Sequence, residues 1–518
     1  MTYNIIFLNS TPYDKKKVRG LAPYNLLEQA EKHNYTGIVF DFIESWTLDS
    51  VREAFDYVIT AETKYLAFSL SWARTDTPRR YKPHHVGDYL LNNNFNTLIN
   101  FAKTKNPNIK IICGGSNAVH ANKFVINSVD HIFYGYGETQ FVDFLKDPDR
   151  YEKIINHDVK AYATHTDFDF ANANPRIPLH SFVTPLEVLP LETARGCRFK
   201  CAFCTHPLIG NKDAASYIKD SNVIRDQLLY NYENFGVQKY SIQDDTFNDD
   251  NNKLKLYADV ISSLPFKVYF WAYIRGDLLI TNPEQINLLH EMGLSYCFMG
   301  IETYNQKAGK VVGKGIDPNR IKDMLHRARE VWKDDVYLKQ GLIVGLPYED
   351  KESIQNTVDF ITGPGSPVDE AQLVPLVLRG KNLIGADPYV SDFERNPEKY
   401  GLTMQSDINY SWIKDDGTDI RSFEEAFHFC SEVANGKTVD LMDNAHSIYG
   451  PDYKKRMKLF FESSLDFAKR YSYDDVRNFT GANKIAFLQD CQQSQGKFDA
   501  MIQNHYVRPL LDHLQPFF

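Results

Sequence analysis

Cysteine is scarce in this chain, with seven in 518 residues. Its first residues, "MTYNIIFLNSTPYDKKK", lack a signal peptide's order of basic start and apolar centre. A cytoplasmic, reducing location is therefore expected, with the cysteines as thiols or metal ligands rather than bridges. Long apolar runs are missing too: none reaches the ~18 residues of a membrane span, so no membrane partner is expected. Positive charge is not in excess, since 58 Lys and Arg face 67 Asp and Glu for a net charge of −9. That balance leaves no general footprint for nucleic acid. Low-complexity tracts and short repeats are absent as well. What remains is a soluble globular chain, too long for one ordinary core, whose expected substrate is a small molecule or a peptide.

What is present falls into three blocks. In residues 1–150, "NIIFLNS", "GIVFDF", "KYLAFSLS", "IKIICGG" and "HIFYGYG" read as buried strands alternating with helix-like stretches such as "APYNLLEQAEKH". This rhythm predicts a doubly wound, Rossmann-like parallel sheet, with ligands at the carboxyl ends of its strands. Residues 151–185 are polar and proline-bearing, and read as a linker. From 186 to 390 the β/α rhythm resumes in six units: "LEVLPLET", "QKYSIQDD", "KVYFWAYI", "LSYCFMGIE", "YLKQGLIVGLP" and "AQLVPLVL". Six units predict a partial (β/α)6 barrel of TIM type. Residues 391–518 turn mostly helical and read as a separate C-terminal domain.

Three of the seven cysteines, Cys197, Cys201 and Cys204, fall within eight positions just after the first barrel strand, in "ETARGCRFKCAFCTHP". One reading is a structural zinc site completed by His206. Such sites usually join two ligand pairs across a longer loop, which this grouping does not do. The other reading is a cubane iron–sulfur cluster held through three irons, the fourth iron keeping an open coordination position. A close triad without a remote partner fits the cluster better. Cys113, Cys297 and Cys430 lie in apolar runs and are expected to be buried. His84 and His85 read as solvated loop residues.

The spacing C-x3-C-x2-C, with an aromatic residue before the last cysteine, resembles the signature of the radical S-adenosylmethionine (SAM) superfamily. Further segments follow in order at the expected strand ends: "YSIQDDTFNDD", "WAYIRGDLL", "FMGIETYNQKAGKVVGKG" and "GLIVGLPYED". The resemblance covers roughly residues 186–380. It implies a [4Fe–4S] cluster on Cys197, Cys201 and Cys204, with SAM chelated at the open iron and cleaved to a 5′-deoxyadenosyl radical. It places Asp244 and Asp245 near the methionine amino group and Glu302 near the ribose or methionine end. Phe203 and the stretch with Gly341, Gly345 and Pro347 would border the adenine. Arg275 is either a carboxylate ligand or a structural ion-pair partner. An external one-electron reductant of flavodoxin or ferredoxin type is implied.

The first block resembles the cobalamin-binding domain that precedes the barrel in one subclass of this superfamily. The residues that carry this are "ICGGSNAV" and "YGYGETQF". They place Ser69, Gly114, Gly115, Gly135 and Gly137 along the edge that would receive cobalamin. The Asp-x-His-x-x-Gly segment that gives cobalt a histidine in other cobalamin proteins is absent, so cobalamin would bind without a protein histidine or the sheet would have lost it. The function implied is a cobalamin-dependent C-methyltransferase. The alternative is a radical oxidoreductase, cyclase or rearrangement enzyme that transfers no methyl group. A methylthiotransferase would need further N-terminal cysteines for a second cluster, and only Cys113 precedes Cys197.

Overall fold

The computed structural model describes residues 2–9, 18–69, 86–115, 128–133, 137–150, 168–185, 187–205, 217–378, 390–405, 411–435, 439–440, 445–456 and 502–515. The N-terminal strands are β1 (Ile5–Leu8), β2 (Gly37–Phe40), β3 (Tyr65–Ser69), β4 (Lys110–Gly114) and β5 (His131–Ile132). Their order is β2-β1-β3-β4-β5 and every pairing is parallel. All four residues of β1 are buried, because a parallel sheet is covered by helices on both faces. Ile6 and Leu8 join a core with helix Leu48–Val58. Ile5 and Phe7 join another that passes through helix Ala22–Lys32 into the barrel. The order reverses direction between β1 and β3, the place where such sheets open a crevice at their carboxyl ends.

The second sheet begins with six parallel strands in chain order: β6 (Val188–Leu191), β7 (Lys239–Ile242), β8 (Tyr269–Arg275), β9 (Leu294–Glu302), β10 (Tyr337–Val344) and β11 (Glu370–Pro375). Pro190 lacks a backbone donor and sits on β6, the edge strand, where the missing donor costs no sheet bond. Helices Ser221–Phe235, Asn251–Ser262, Pro318–Trp332 and Lys351–Thr362 each start behind an aspartate (Asp220, Asp250, Asp317, Asp350) whose carboxylate accepts from the first-turn N–H groups. Those caps fix where each helix begins after its strand.

In the last block, expected to be mostly helical, the described residues include strands as well as helices. After the β12 (Leu402–Met404) and β13 (Trp412–Lys414) hairpin, helix Phe423–Val433 packs on β11. Strands β14 (Val439–Asp440) and β15 (Ala445–Tyr449) then extend the barrel sheet antiparallel to β11. Helix Arg508–Leu514 returns to the N-terminal sheet and packs on helix Leu48–Val58. Its Leu510 and Leu511 bury their apolar surface in that distant core. The end of the linker, residues 168–185, is also tied down: Phe170 is buried, and Gln227 donates to the Pro175 carbonyl at 3.3 Å. No helix among the described residues is long and apolar enough to cross a membrane.

Candidate functional site

The cysteine loop leaves β6 at Leu191 and is held from below by one aspartate. Asp244 is fully buried and accepts from Thr193 N at 2.7 Å, Ala194 N at 2.9 Å and Thr193 Oγ1 at 2.6 Å. Lys253, equally buried, lies 3.4 Å from Asp244 and 2.6 Å from Asp249. Burial pushes the Asp244 carboxyl up to about 6, against the pull of Lys253 and the Thr193 hydrogen bonds. Tyr257 donates to the Thr193 carbonyl at 2.7 Å. Asp244 therefore anchors the start of the cysteine loop. Strand alternation gives the reason: Tyr240, Ile242 and Asp244 share the helix-facing side, which leaves Ser241, Gln243 and Asp245 for the barrel interior. Of the two acids, the half-buried Asp245 adds its charge at Cys197.

Gly196, with φ of +94°, turns the chain into Cys197. All three cysteines are half-buried. Cys197 Sγ lies 3.4 Å from the Thr246 hydroxyl, and Cys201 Sγ receives an N–H from Arg275 at 3.2 Å. The spacer between them is anchored as well, because Arg198 pairs with Asp250 at 2.5 Å and Phe199 stacks on the Arg275 guanidinium at 3.9 Å. Among the described residues no three His, Cys, Asp or Glu side chains converge on one metal position. A cubane sets each cysteine on a different iron, so its three sulfurs need not converge. The donor set suits such a group: three thiols in one loop, with the Arg275 guanidinium donating to the Cys201 sulfur and the Thr246 hydroxyl beside that of Cys197.

Glu302 ends β9 at φ of +68° and accepts from Lys314 Nζ at 2.7 Å, while the same ammonium donates to the Gly300 carbonyl at 3.0 Å. A side chain at Gly300 would strike Glu302, so this glycine–glutamate–lysine set is one folded unit. Register stacks the barrel interior in tiers. Tyr273, Phe298, Lys339, Glu370 and Tyr449 share one tier, and Arg275, Gly300, Gly341, Gln372 and Ser447 the next toward the carboxyl ends. The Phe298 ring lies over Gly341, where a Cβ would sit 2.9 Å from it. Glu370 gathers Lys339 at 2.9 Å, Tyr337 at 3.0 Å and Ser447 at 2.8 Å. Tyr273 remains half exposed above this polar group.

The remaining expected positions divide. Phe203 is half-buried and packs against the barrel core. Gly345, at φ of +96°, and the buried Pro347 lie in the turn after β10, and Gly345 is covered by Trp412, 2.8 Å from where a Cβ would be. Ser69 pairs in register with Gly114 at the carboxyl edge of the N-terminal sheet, Gly115 follows at φ of +102°, and Gly137 precedes helix Glu138–Lys146. Gly135, His84, His85, His206 and Cys491 lie outside the described residues. Cys113, Cys297 and Cys430 are buried. A cleft of ≈ 790 Å³ opens at the other end of the barrel, among Lys239, Tyr269 and Leu294 at the amino ends of their strands.

Sequence reasoning missed the contact that joins the two sheets. Glu138 lies 2.9 Å from Arg195, which also pairs with Glu192 at 2.8 Å and lies over the Phe170 ring at 4.8 Å. A second buried arginine, Arg19, ties Asp41 of the N-terminal sheet to Glu187 at the barrel entrance and lies against the Tyr506 ring. The sequence signal for the first pair was the Arg of "TARGC", two residues ahead of the triad.

Residues 191–361 match the model of the radical SAM superfamily. An uncharacterized methyltransferase of Pyrococcus horikoshii is 23% identical over 291 residues, which is 51% of this chain and 60% of the relative. The bacteriochlorophyllide d C-12(1)-methyltransferase of Chlorobaculum tepidum is 24% identical over 200 residues, 38% of this chain and 41% of the relative. The chain thus spans less than two thirds of the length of these relatives. Among solved structures, the fold resembles the radical SAM methyltransferase TsrM of Kitasatospora setae with cobalamin and a [4Fe–4S] cluster bound. That likeness has a TM-score of 0.53 at 14% identity and covers 96% of this chain and 99% of TsrM. The cysteine triad and the six ordered strands agree with this match, so residues 191–361 carry a radical SAM domain.

Proposed function

We propose that the protein is a cobalamin-dependent radical SAM C-methyltransferase acting on a small molecule or peptide. Cys197, Cys201 and Cys204 would hold the cluster, and the carboxyl edge at Ser69, Gly114, Gly115 and Gly137 would receive cobalamin. When bound, the cluster and SAM supply a radical for hydrogen abstraction, and cobalamin supplies the methyl group. Asp245 and Glu302 stand at strand ends on the interior side, where they can orient a cationic, hydroxyl-bearing ligand. Tyr273 and Phe298, in one tier with the Lys339–Glu370 pair, give the substrate an aromatic wall.

One observation carries the cobalamin part: the Glu138–Arg195 pair holds the carboxyl edge of the first sheet against the loop that bears the cysteines. Anaerobic reconstitution tests it. About four irons per chain, uptake of one cobalamin by absorbance, and SAM turnover to 5′-deoxyadenosine with a methylated product support the reading. Iron without cobalamin uptake overturns methyl transfer, and stoichiometric zinc overturns the radical assignment.

A radical reaction without methyl transfer is favoured by a different observation. The β1–β2 side of the same edge is filled by Asn9, Arg19, Asp41 and Tyr506, whose mutual hydrogen bonds leave that half closed. Cobalamin would have to seat on the β3–β4 half alone. The uptake measurement decides between the two.

A further inference from the structure

We propose that Arg275 tunes the cluster through the sulfur of Cys201 and is not the clamp for the carboxylate of SAM. The inference rests on the reading of Cys197, Cys201 and Cys204 as cluster ligands and adds to it a residue that sets the ease of reduction.

The argument begins with donor capacity. A guanidinium has five N–H groups in a fixed fork, and a carboxylate clamp needs two of them parallel and free. In Arg275 the Nε–H donates to Asp277 at 2.8 Å. Nη2 donates to Asp277 at 2.9 Å and to the Gly313 carbonyl at 2.9 Å. Nη1 donates to Cys201 Sγ at 3.2 Å. Four of the five N–H groups are thus engaged, and the edge suited to a bidentate carboxylate is already taken by Asp277. The flat face is engaged too, by the Phe199 ring at 3.9 Å. Turning Arg275 toward SAM would break the half-buried Asp277 pair and strip Phe199 of its stacking partner.

The placement suits tuning. Arg275 is buried and is the last residue of β8, so its Cα is held by the sheet. Asp277 and Gly313 then fix the fork from the side away from the cysteine. Reduction adds one negative charge to a cluster, and hydrogen bonds to the ligand sulfurs stabilise the reduced form more than the oxidised one. A fixed cation donating to one ligand sulfur therefore raises the midpoint potential, as partners behind metal ligands do elsewhere. Asp277 neutralises part of that charge, so the directional N–H···S contact matters as well as the net field.

The experiment is a potentiometric titration followed by electron paramagnetic resonance on the reconstituted full chain, without SAM, in the wild type, Arg275→Met and Arg275→Lys. SAM binding to the oxidised cluster is measured in parallel. Arg275→Met should retain iron and become about tenfold harder to reduce, a fall of about 59 mV for one electron. Its affinity for SAM should stay within about threefold of the wild type, because no bidentate carboxylate contact, worth tenfold per 1.4 kcal/mol, has been lost. Arg275→Lys, which keeps the charge but cannot span Asp277 and Cys201, should fall between the two. If Arg275→Met fails to hold iron, the lysine variant carries the same comparison. An unchanged midpoint, or an unchanged midpoint with a tenfold loss of SAM affinity, overturns the inference while leaving the cluster reading intact. A wild type that takes up no iron overturns both.

Discussion

The Glu138 carboxylate meets the Arg195 guanidinium at 2.9 Å, and each is almost fully buried. Glu138 follows directly on the Gly-x-Gly of the N-terminal sheet, and Arg195 stands two residues before Cys197. The pair therefore couples the position of the sheet edge to that of the cysteine loop. Glu138→Gln removes the charge but leaves Arg195 its bonds to Glu192. The expected cost is about 1–3 kcal/mol, seen as a lower thermal midpoint. Arg195→Met strands two buried carboxylates and should cost about 3–5 kcal/mol. Cobalamin affinity should fall in both variants, with cluster iron retained in Glu138→Gln. Equal iron loss in both would mean that Glu138 acts only on the loop.

Asp244 is buried and its neighbour Asp245 half-buried, and their substitution should separate two losses. Asp244→Ala leaves the Thr193 and Ala194 N–H groups without their acceptor and the buried Lys253 with Asp249 as its carboxylate partner. It should lower both stability and iron retention, by about 3–5 kcal/mol in the former. Asp245→Asn should keep the iron and weaken SAM binding. Iron analysis and equilibrium dialysis with SAM check the pair. Retained iron with weakened SAM binding in Asp244→Ala would return that residue to the cofactor.

Much of this was legible in the sequence because buried parallel strands need continuous apolar runs. The five N-terminal strands and six barrel strands fall where "NIIFLNS" through "AQLVPLVL" place them. The duty of Asp244 was legible in principle too, since it shares parity with Ile242, whose side is buried. What escaped was long-range. Helix Arg508–Leu514 packs against a helix more than 400 residues earlier, and no local pattern encodes that partner. Strand β15 is a short mixed stretch, "AHSIY", whose strand character comes from pairing with β11. Arg19 and Arg195 could not be told from surface arginines until the fold brought their carboxylates together.

Glu349 gives the barrel a pH signature. It is buried at the end of the β10 turn, accepting from Thr303 Oγ1 at 2.7 Å and Gly345 N at 3.0 Å. Burial pushes its carboxyl up to about 7 from 4.5, opposed by those donors and by Lys414. Below pH 4.5 the folded and unfolded chains both hold the proton, so the shift changes nothing. As pH rises toward 7 the unfolded chain loses the proton first, and stability falls across that window. Glu349→Gln lacks the titration, so its stability relative to wild type should rise between pH 4.5 and 7, by at most about 3 kcal/mol. Parallel thermal melts across that range check the sign, and a constant difference would place the carboxylate in its ordinary range.

Gly137 offers the cleanest probe of the sheet edge. At Gly114 a Cβ would sit 3.1 Å from the Phe133 carbonyl, and at Gly115 the φ of +102° strains any side chain, so substitution at either disturbs β4 and β5 themselves. Gly137 has an ordinary φ of −89°, and among the described residues a Cβ there would meet only Phe133 Cβ, at 4.0 Å. Gly137→Leu should therefore fold with an unchanged thermal midpoint and full cluster iron, while its side chain occupies the space a planar ligand would need. The expected result is a loss of cobalamin uptake by tenfold or more, about 1.4 kcal/mol or above. Absorbance titration with hydroxocobalamin reads it directly. Uptake equal to wild type would move the cobalamin site away from this edge, and with it the geometry proposed for methyl transfer.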